Sequence, residues 1–305
     1  MIDRRIKFRH IQCFVEICTE QSLKRAAEKL FLTQPAISKT LKELEDIVGA
    51  TLLTRNRAGV AQTKQGEVFL HFAQMSLASL QQGLTGIEQV GTSGKTRLAV
   101  GALPSVAARL MPDVALEFGL LARAMELRIM DGPHGFLMDR LRVGALDLVI
   151  GRMGQPETMM GVSFTLLYEE KVEFIVRAGH PFLSDPDLRR IRDWQVIYPP
   201  KGSAIRPAVD RFLIAHGVGD IPNRLETVSG AFGRVYTRQS DAIWIISAGV
   251  VANEIADGHL VALPFDTSAT RGPVGLMRRP DQTLTPQDQV FQIALANVIN
   301  RMELG

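Results

Sequence analysis

Apolar positions recur at three- and four-residue steps through most of the first 90 residues, which predicts a helical N-terminal region. Phe8, Ile11, Phe14, Val15 and Cys18 form one stripe, and Leu23, Ala26, Ala27 and Leu30 a second. Ile37, Leu41, Leu44 and Val48 form a third, which stops at Gly49. Ser22 and Thr33 stand immediately before the second and third stripes as N-caps, and Pro35 falls in a first turn, where its missing N–H costs nothing. Residues 51–63 break the period with a short apolar pair, a turn and a return segment, which reads as a small hairpin. From Lys64 the helical pattern resumes, with Phe69, Phe72, Leu77, Leu80, Leu84 and Ile87 on one stripe. A lone exposed helix would not hide that stripe, so pairing with a second chain is expected.

After a joint at Gly91-Thr92-Ser93-Gly94 the pattern alternates strand-like apolar runs with helices: RLAVGAL, a helix from about Ser105, MELRIMD, a helix around Leu137 to Val143, then LDLVIG. LDLVIG and EFIVRA are nearly continuous apolar runs, which predicts parallel strands covered on both faces and an α/β region.

At 305 residues the chain exceeds one ordinary core, so two or three domains are expected. Hydrophobic residues make up 46% and charged residues 22%, which argues against extensive disorder. Residues 1–64 hold 12 Lys/Arg against 7 Asp/Glu, a charge of +5, while residues 65–305 carry −2; the basic end is suited to a polyanion. Two cysteines, Cys13 and Cys18, supply neither a disulfide framework nor a four-ligand zinc site, so core packing is their expected role. No apolar run reaches membrane-span length and the N-terminus lacks a leader pattern, so a cytoplasmic protein with no membrane partner is expected.

Ser22 to Leu44 has the layout of a helix-turn-helix. The small Ala26 and Ala27 allow close packing, FLT forms the turn, and the third helix presents Gln34, Ser38, Lys39 and Lys42 opposite its apolar face. Gln pairs with adenine and Lys with guanine at base edges. Lys24, Arg25, Arg55 and Arg57 are placed to reach phosphates or, from the hairpin, the minor groove. An enzyme is disfavoured. Six histidines show no metal-ligand spacing, IISAG around Ser247 lacks the first glycine of a nucleophile elbow, and there is neither a G-x-G-x-x-G nor a P-loop. His180 in GHP reads as a loop residue, and no cofactor or metal is expected.

The text Ala26-Ala27, Leu30, Thr33-Gln34-Pro35-Ala36, Ser38, Leu44-Glu45, Val48-Gly49 and Leu52-Leu53-Thr54-Arg55 closely resembles the N-terminal motif of LysR-type transcriptional regulators, with Leu53 in place of the usual Phe. The resemblance implies an α/β protein: a winged helix-turn-helix over 6–63, a dimerising linker helix over 64–92, and an effector-binding domain over 93–305 like periplasmic binding proteins. It further implies subdomain I at 93–163 and 267–305, subdomain II at 164–266, and a chain that leaves the first near Ser163. Homodimers or homotetramers on double-stranded promoter DNA and contact with RNA polymerase are also implied.

The resemblance places DNA contacts on Gln34, Pro35, Ser38, Lys39 and Arg55, to which the residue reading adds Ser22, Lys24, Thr33, Lys42 and Arg57. It places a small ligand against Leu103-Pro104-Ser105 and against Gly202 to Arg206, with Ser203 between, and puts His134, Arg152 and Arg271 around the same cleft. Arg152 and Arg206 are expected to pair carboxylates from opposite subdomains, and Ser105 to serve as both helix cap and ligand donor. Within the family the N-terminal text looks like regulators of protocatechuate catabolic operons, which sense di- and tricarboxylates of the β-ketoadipate route. A regulator of another pathway sensing a different small anion is the alternative.

Overall fold

The computed structural model describes residues 3–56, 59–90, 97–123, 125–280 and 282–304, without the side chains of 55, 56, 71, 75, 78, 79, 81–83 and 85–90. The joint at 91–94 and Arg57 lie outside the described residues. Two compact units result, with one boundary at Ser93/Gly94.

The first unit holds α1 (Phe8–Glu20), α2 (Leu23–Lys29), α3 (Gln34–Val48), the antiparallel hairpin β1 (Leu53–Asn56) and β2 (Gly59–Gln62), and α4 (Lys64–Val90). The local signals act as read. The Ser22 hydroxyl accepts from Arg25 N–H at 3.3 Å, that of Thr33 accepts from Ala36 N–H at 3.4 Å, and Gly49 closes α3 in a left-handed conformation. Phe14, Ile17, Ala26, Ala27, Ile37, Leu41 and Leu44 make one buried core. Glu45 serves this architecture: its Oε1 accepts the N–H groups of Leu52 and Leu53 at 2.8 and 3.1 Å, which ties the start of the hairpin to α3. Cys13 and Cys18 are buried, and burial pushes their thiols up to about 11 and about 12, so both are packing residues at neutral pH.

The start of α4 belongs to this core, which corrects the stripe read from the sequence. Phe69 packs edge-on against Phe14 with ring centroids 5.3 Å apart, and Ala73 is buried beside it. Along α4, Val68, Phe72, Leu80 and Leu84 are each more than half exposed. Ile87 falls where side chains are not described.

The second unit has two sheets. The first, in the order β4-β3-β5-β12-β6, uses β3 (Arg97–Ala102), β4 (Glu126–Asp131), β5 (Leu148–Arg152), β6 (Ser163–Glu170) and β12 (Gly272–Arg278). Packed with it are α5 (Pro104–Arg109), α6 (Met111–Leu121), α7 (His134–Arg142) and α11 (Pro286–Arg301). The second sheet, β11-β7-β10-β8-β9, uses β7 (Val172–Arg177), β8 (Val196–Tyr198), β9 (Arg224–Glu226), β10 (Ile243–Ser247) and β11 (Leu260–Ala262). Its helices are α8 (Arg206–Ala215), α9 (Gly230–Gln239) and α10 (Ala252–Ala256). Each sheet closes its own core, so this unit is two lobes.

Two expectations need correction. The EFIVRA segment becomes β7 but pairs antiparallel with both β10 and β11; its run is apolar because it is an inner strand buried on both faces, whatever its direction. The chain also leaves the first lobe later than expected. Ser163 begins β6, which pairs with β12 across its length, so the crossing falls between Glu170 and Val172, with the return near Thr270.

Candidate functional site

On the first unit, Gln34 and Pro35 form the opening turn of α3 and are exposed together with Thr33, Lys39 and Lys42; Ser38 is half-buried. Lys24 and Arg25 are exposed on α2, and Ser22 is half-buried as its cap. Elsewhere in the unit some cations are bound to acids: Lys29 pairs with Glu16 and Glu20, Arg9 with Glu43. Among the described residues no ion pair involves Lys24, Arg25, Lys39 or Lys42, so the face bearing Gln34 keeps its positive charge for an outside partner. Arg55 lies on β1 with its side chain not described, and Arg57 is outside the described residues.

In the second unit a cleft between the lobes has two chambers. The inner, of about 50 Å3, is lined by Ser105, Ser203, Thr227 and Ser247, by His134 and Arg152, and by apolar walls including Ile205, Ile246 and Val250. The outer, of about 220 Å3, shares His134, Ser203 and Ala204 and adds Thr158, Lys201, Arg206 and Asp210. Ser105 and His134 are buried at the starts of α5 and α7. Ser105 does not cap its helix: Leu103 holds the cap position, and Ser105 lies inside the first turn.

The arginines behave differently from expectation. Arg152 ends β5 in the inner chamber, yet its Nη1 donates to the Glu170 carbonyl at 3.0 Å and its Nη2 to the Thr270 carbonyl. It thereby holds the outgoing and returning crossovers together, a contact reinforced where Val172 N–H donates to the Thr270 hydroxyl at 2.9 Å. Arg206 lines only the outer chamber. Its guanidinium donates to Asp210, Glu226 and the Pro199 carbonyl at 2.8, 3.1 and 2.8 Å and lies over the Tyr198 ring. With two carboxylates already on it, Arg206 has little positive charge left for a ligand, and it does not share a chamber with Arg152 as the two-arginine reading of the sequence requires. Arg271 is exposed and lines neither chamber.

The sequence reading does not place Thr227, Ser247 or Lys201 in the cleft, and weighs Ser247 only as a nucleophile. Ser247 had a visible signal as the hydroxyl ending the apolar run AIWIIS, where a strand end opens into a cleft. His180 is a buried loop residue, its Nδ1 accepting from Phe182 N–H at 3.0 Å. Among the described residues no His/Cys/Asp/Glu cluster suits a metal ion, and no helix is long and apolar enough to cross a membrane.

Residues 8–67 match the family described as bacterial regulatory helix-turn-helix protein, lysR family, and residues 91–298 match the LysR substrate binding domain. The chain is 48% identical over 284 residues to the HTH-type transcriptional regulator PcaQ of Agrobacterium fabrum, covering 92% of this chain and 91% of that one. It is 33% identical over 292 residues to the uncharacterized HTH-type transcriptional regulator YdcI of Escherichia coli, covering 95% of each. Among solved structures, full-length BenM superposes with a TM-score of 0.56 at 21% identity, covering 98% of this chain and 99% of that one. Full-length CbnR in complex with its target DNA gives 0.57 at 18%, covering 96% and 100%. At those identities the structural likeness shows the fold alone.

Proposed function

The chain belongs to the LysR family of DNA-binding transcriptional regulators with a small-molecule effector domain, and from that premise we propose that it controls a protocatechuate (β-ketoadipate route) catabolic operon in response to a small di- or tricarboxylate held between its lobes. The ligand class rests on the inner chamber. Four hydroxyls and Arg152 converge there, and no Asp or Glu is among its described lining residues. Hydroxyl donors and a guanidinium stabilise a carboxylate, and an anion meets no like charge on the chamber surface. The pathway rests on the relationship to PcaQ and on the N-terminal text described above.

The effector set in this reading is Ser105, His134, Arg152 and Ser203, with Thr227 and Ser247 added; Arg206 supports the wall and Arg271 drops out. On DNA, Gln34, Pro35, Ser38 and Lys39 take base edges. Ser22, Lys24, Thr33 and Lys42 take the backbone, and Arg55 and Arg57 approach from the wing. The exposed face Val68-Phe72-Leu80-Leu84 is the seam of a homodimer that assembles further into a tetramer, and RNA polymerase is the downstream partner. Functional division falls at 6–63, 64–92 and 93–305, with the lobe crossing moved to Glu170. Calorimetric titration of the full chain with 3-carboxymuconate, β-ketoadipate and protocatechuate, alongside footprinting on a protocatechuate-operon promoter, tests the reading. Saturable binding of at least one acid and an acid-dependent footprint are expected. Binding of none of them, or no protection of that promoter, defeats it.

A further inference from the structure

Glu170 is the last residue of the first lobe, and its side chain is buried where the lobes meet. Its Oε1 accepts the N–H of Gly249, in the turn after β10 of the second lobe, at 2.9 Å. The Ser105 hydroxyl, from the first lobe, stands at the same carboxyl and favours its charged form. The fit is close: a Cβ on Gly249 would lie 2.5 Å from Oε1 and 3.2 Å from the Ser105 carbonyl. Oε2 is enclosed and has no aligned hydrogen-bond partner. Ser105, Ser247 and Val250, which flank this contact, all line the inner chamber. A carboxylate of the chain itself therefore sits directly behind the donors that the proposed effector would use.

We propose that Glu170 is a specificity-determining residue of the cleft: charged, it opposes an anion at Ser105, and by taking a proton on Oε2 it admits one, so carboxylate binding is coupled to proton uptake. The proposal rests on the carboxylate reading of the cleft. The groups facing Glu170 allow this exchange. Arg152 on β5 and Arg109 on α5 favour the charged form, and Tyr168 on its own strand is buried nearby. Lys171, the next residue, pairs with Glu173 instead. Burial outweighs the favourable contacts and raises the Glu170 carboxyl above the usual range. A negative ligand at Ser105 pushes in the same direction and completes protonation. A neutral Glu170 also draws less on the Ser105 hydroxyl, which is then released to donate to the incoming carboxylate.

The test is calorimetry of the full chain with 3-carboxymuconate and β-ketoadipate at pH 7.5, in two buffers of different ionisation enthalpy. Wild type should take up a proton, up to one per anion bound. Glu170→Gln should take up none and should bind on the order of tenfold more tightly at pH 8, because the like charge is gone. Equal uptake in Glu170→Gln would assign the proton elsewhere, to His134 for example, and overturn the proposal; so would zero uptake by wild type with normal affinity. If neither protein binds either acid, the carboxylate reading itself fails and carries this one with it. Should Glu170→Gln not fold, Glu170→Ala serves: with no carboxyl left at the contact, proton uptake on binding should vanish. Unchanged uptake in that variant overturns the proposal as well.

Discussion

The two surfaces of this regulator treat their cations in opposite ways. On the helix-turn-helix, Lys24, Lys39 and Lys42 are exposed and outside every described ion pair, while Lys29 and Arg9 away from that face are bound to acids. In the cleft, Arg152 is consumed by two main-chain carbonyls and Arg206 by two carboxylates. A polyanion with many phosphates is met by free charges that need no fixed geometry. In the proposed reading a small effector is met by a pre-shaped chamber whose arginines already serve the chain, so ligand recognition and structural integrity share those atoms, with Lys201 a cleft cation outside every described ion pair. Losing a cation should cost binding alone on the first surface, and stability as well in the second.

The sharpest way to break that contrast is Arg152→Ala. It deprives two buried carbonyls of charged donors and unties both crossovers, so a loss of about 2–4 kcal/mol is expected in denaturant unfolding of the full chain. A change under about 0.5 kcal/mol would show the guanidinium to be ligand-directed and the contrast false. Next in size, Gln34→Ala should weaken the specific site by about 1–3 kcal/mol, leave non-specific DNA binding nearly unchanged and leave the unfolding midpoint in place. Competition binding with specific and scrambled duplexes checks it, and equal losses on both would remove Gln34 from base reading. Thr33→Ala combines both behaviours, because its hydroxyl caps α3 at the end proposed to face DNA. About 1 kcal/mol of stability should be lost together with some specific affinity, seen by melting and by the same competition assay. The smallest effect belongs to Arg271→Ala, for which unfolding and effector titration should both match wild type within about 0.5 kcal/mol. A lost inducer response there would return Arg271 to the cleft.

What could be read from the sequence follows the same division. The caps at Ser22 and Thr33, the stop at Gly49 and the exposed opening turn of α3 are set by residues within four positions, and the sequence displays them. The partners of Arg152 lie 18 and 118 residues away, and both are main-chain carbonyls, which leave no mark in any side-chain pattern. Half of the Arg206 arrangement was visible, since Asp210 stands four residues on along α8; Glu226 arrives from a neighbouring strand. The lobe crossing was misplaced because β6 continues through Tyr168 into the first sheet, and only its pairing with β12 reveals that. Phe69 was assigned to the outer stripe because helical spacing identifies an apolar face without naming what covers it.

The joint between α4 and the DNA-reading core has a mechanical consequence. A Cβ on Gly66 would lie 2.0 Å from the Leu52 carbonyl, and with Phe69 and Ala73 also in the core the first turns of α4 have no room to slide. A 27-residue helix anchored in this way is a stiff arm of about 40 Å. Each degree of rocking at its far end moves the other end by about 0.7 Å, so a tilt of five degrees spans about one base-pair step of duplex. The tightest point of that anchorage is Gly66. A bulkier residue there would put play into the arm, and in the proposed dimer a twist at the seam would then be absorbed before it reached the DNA-reading core.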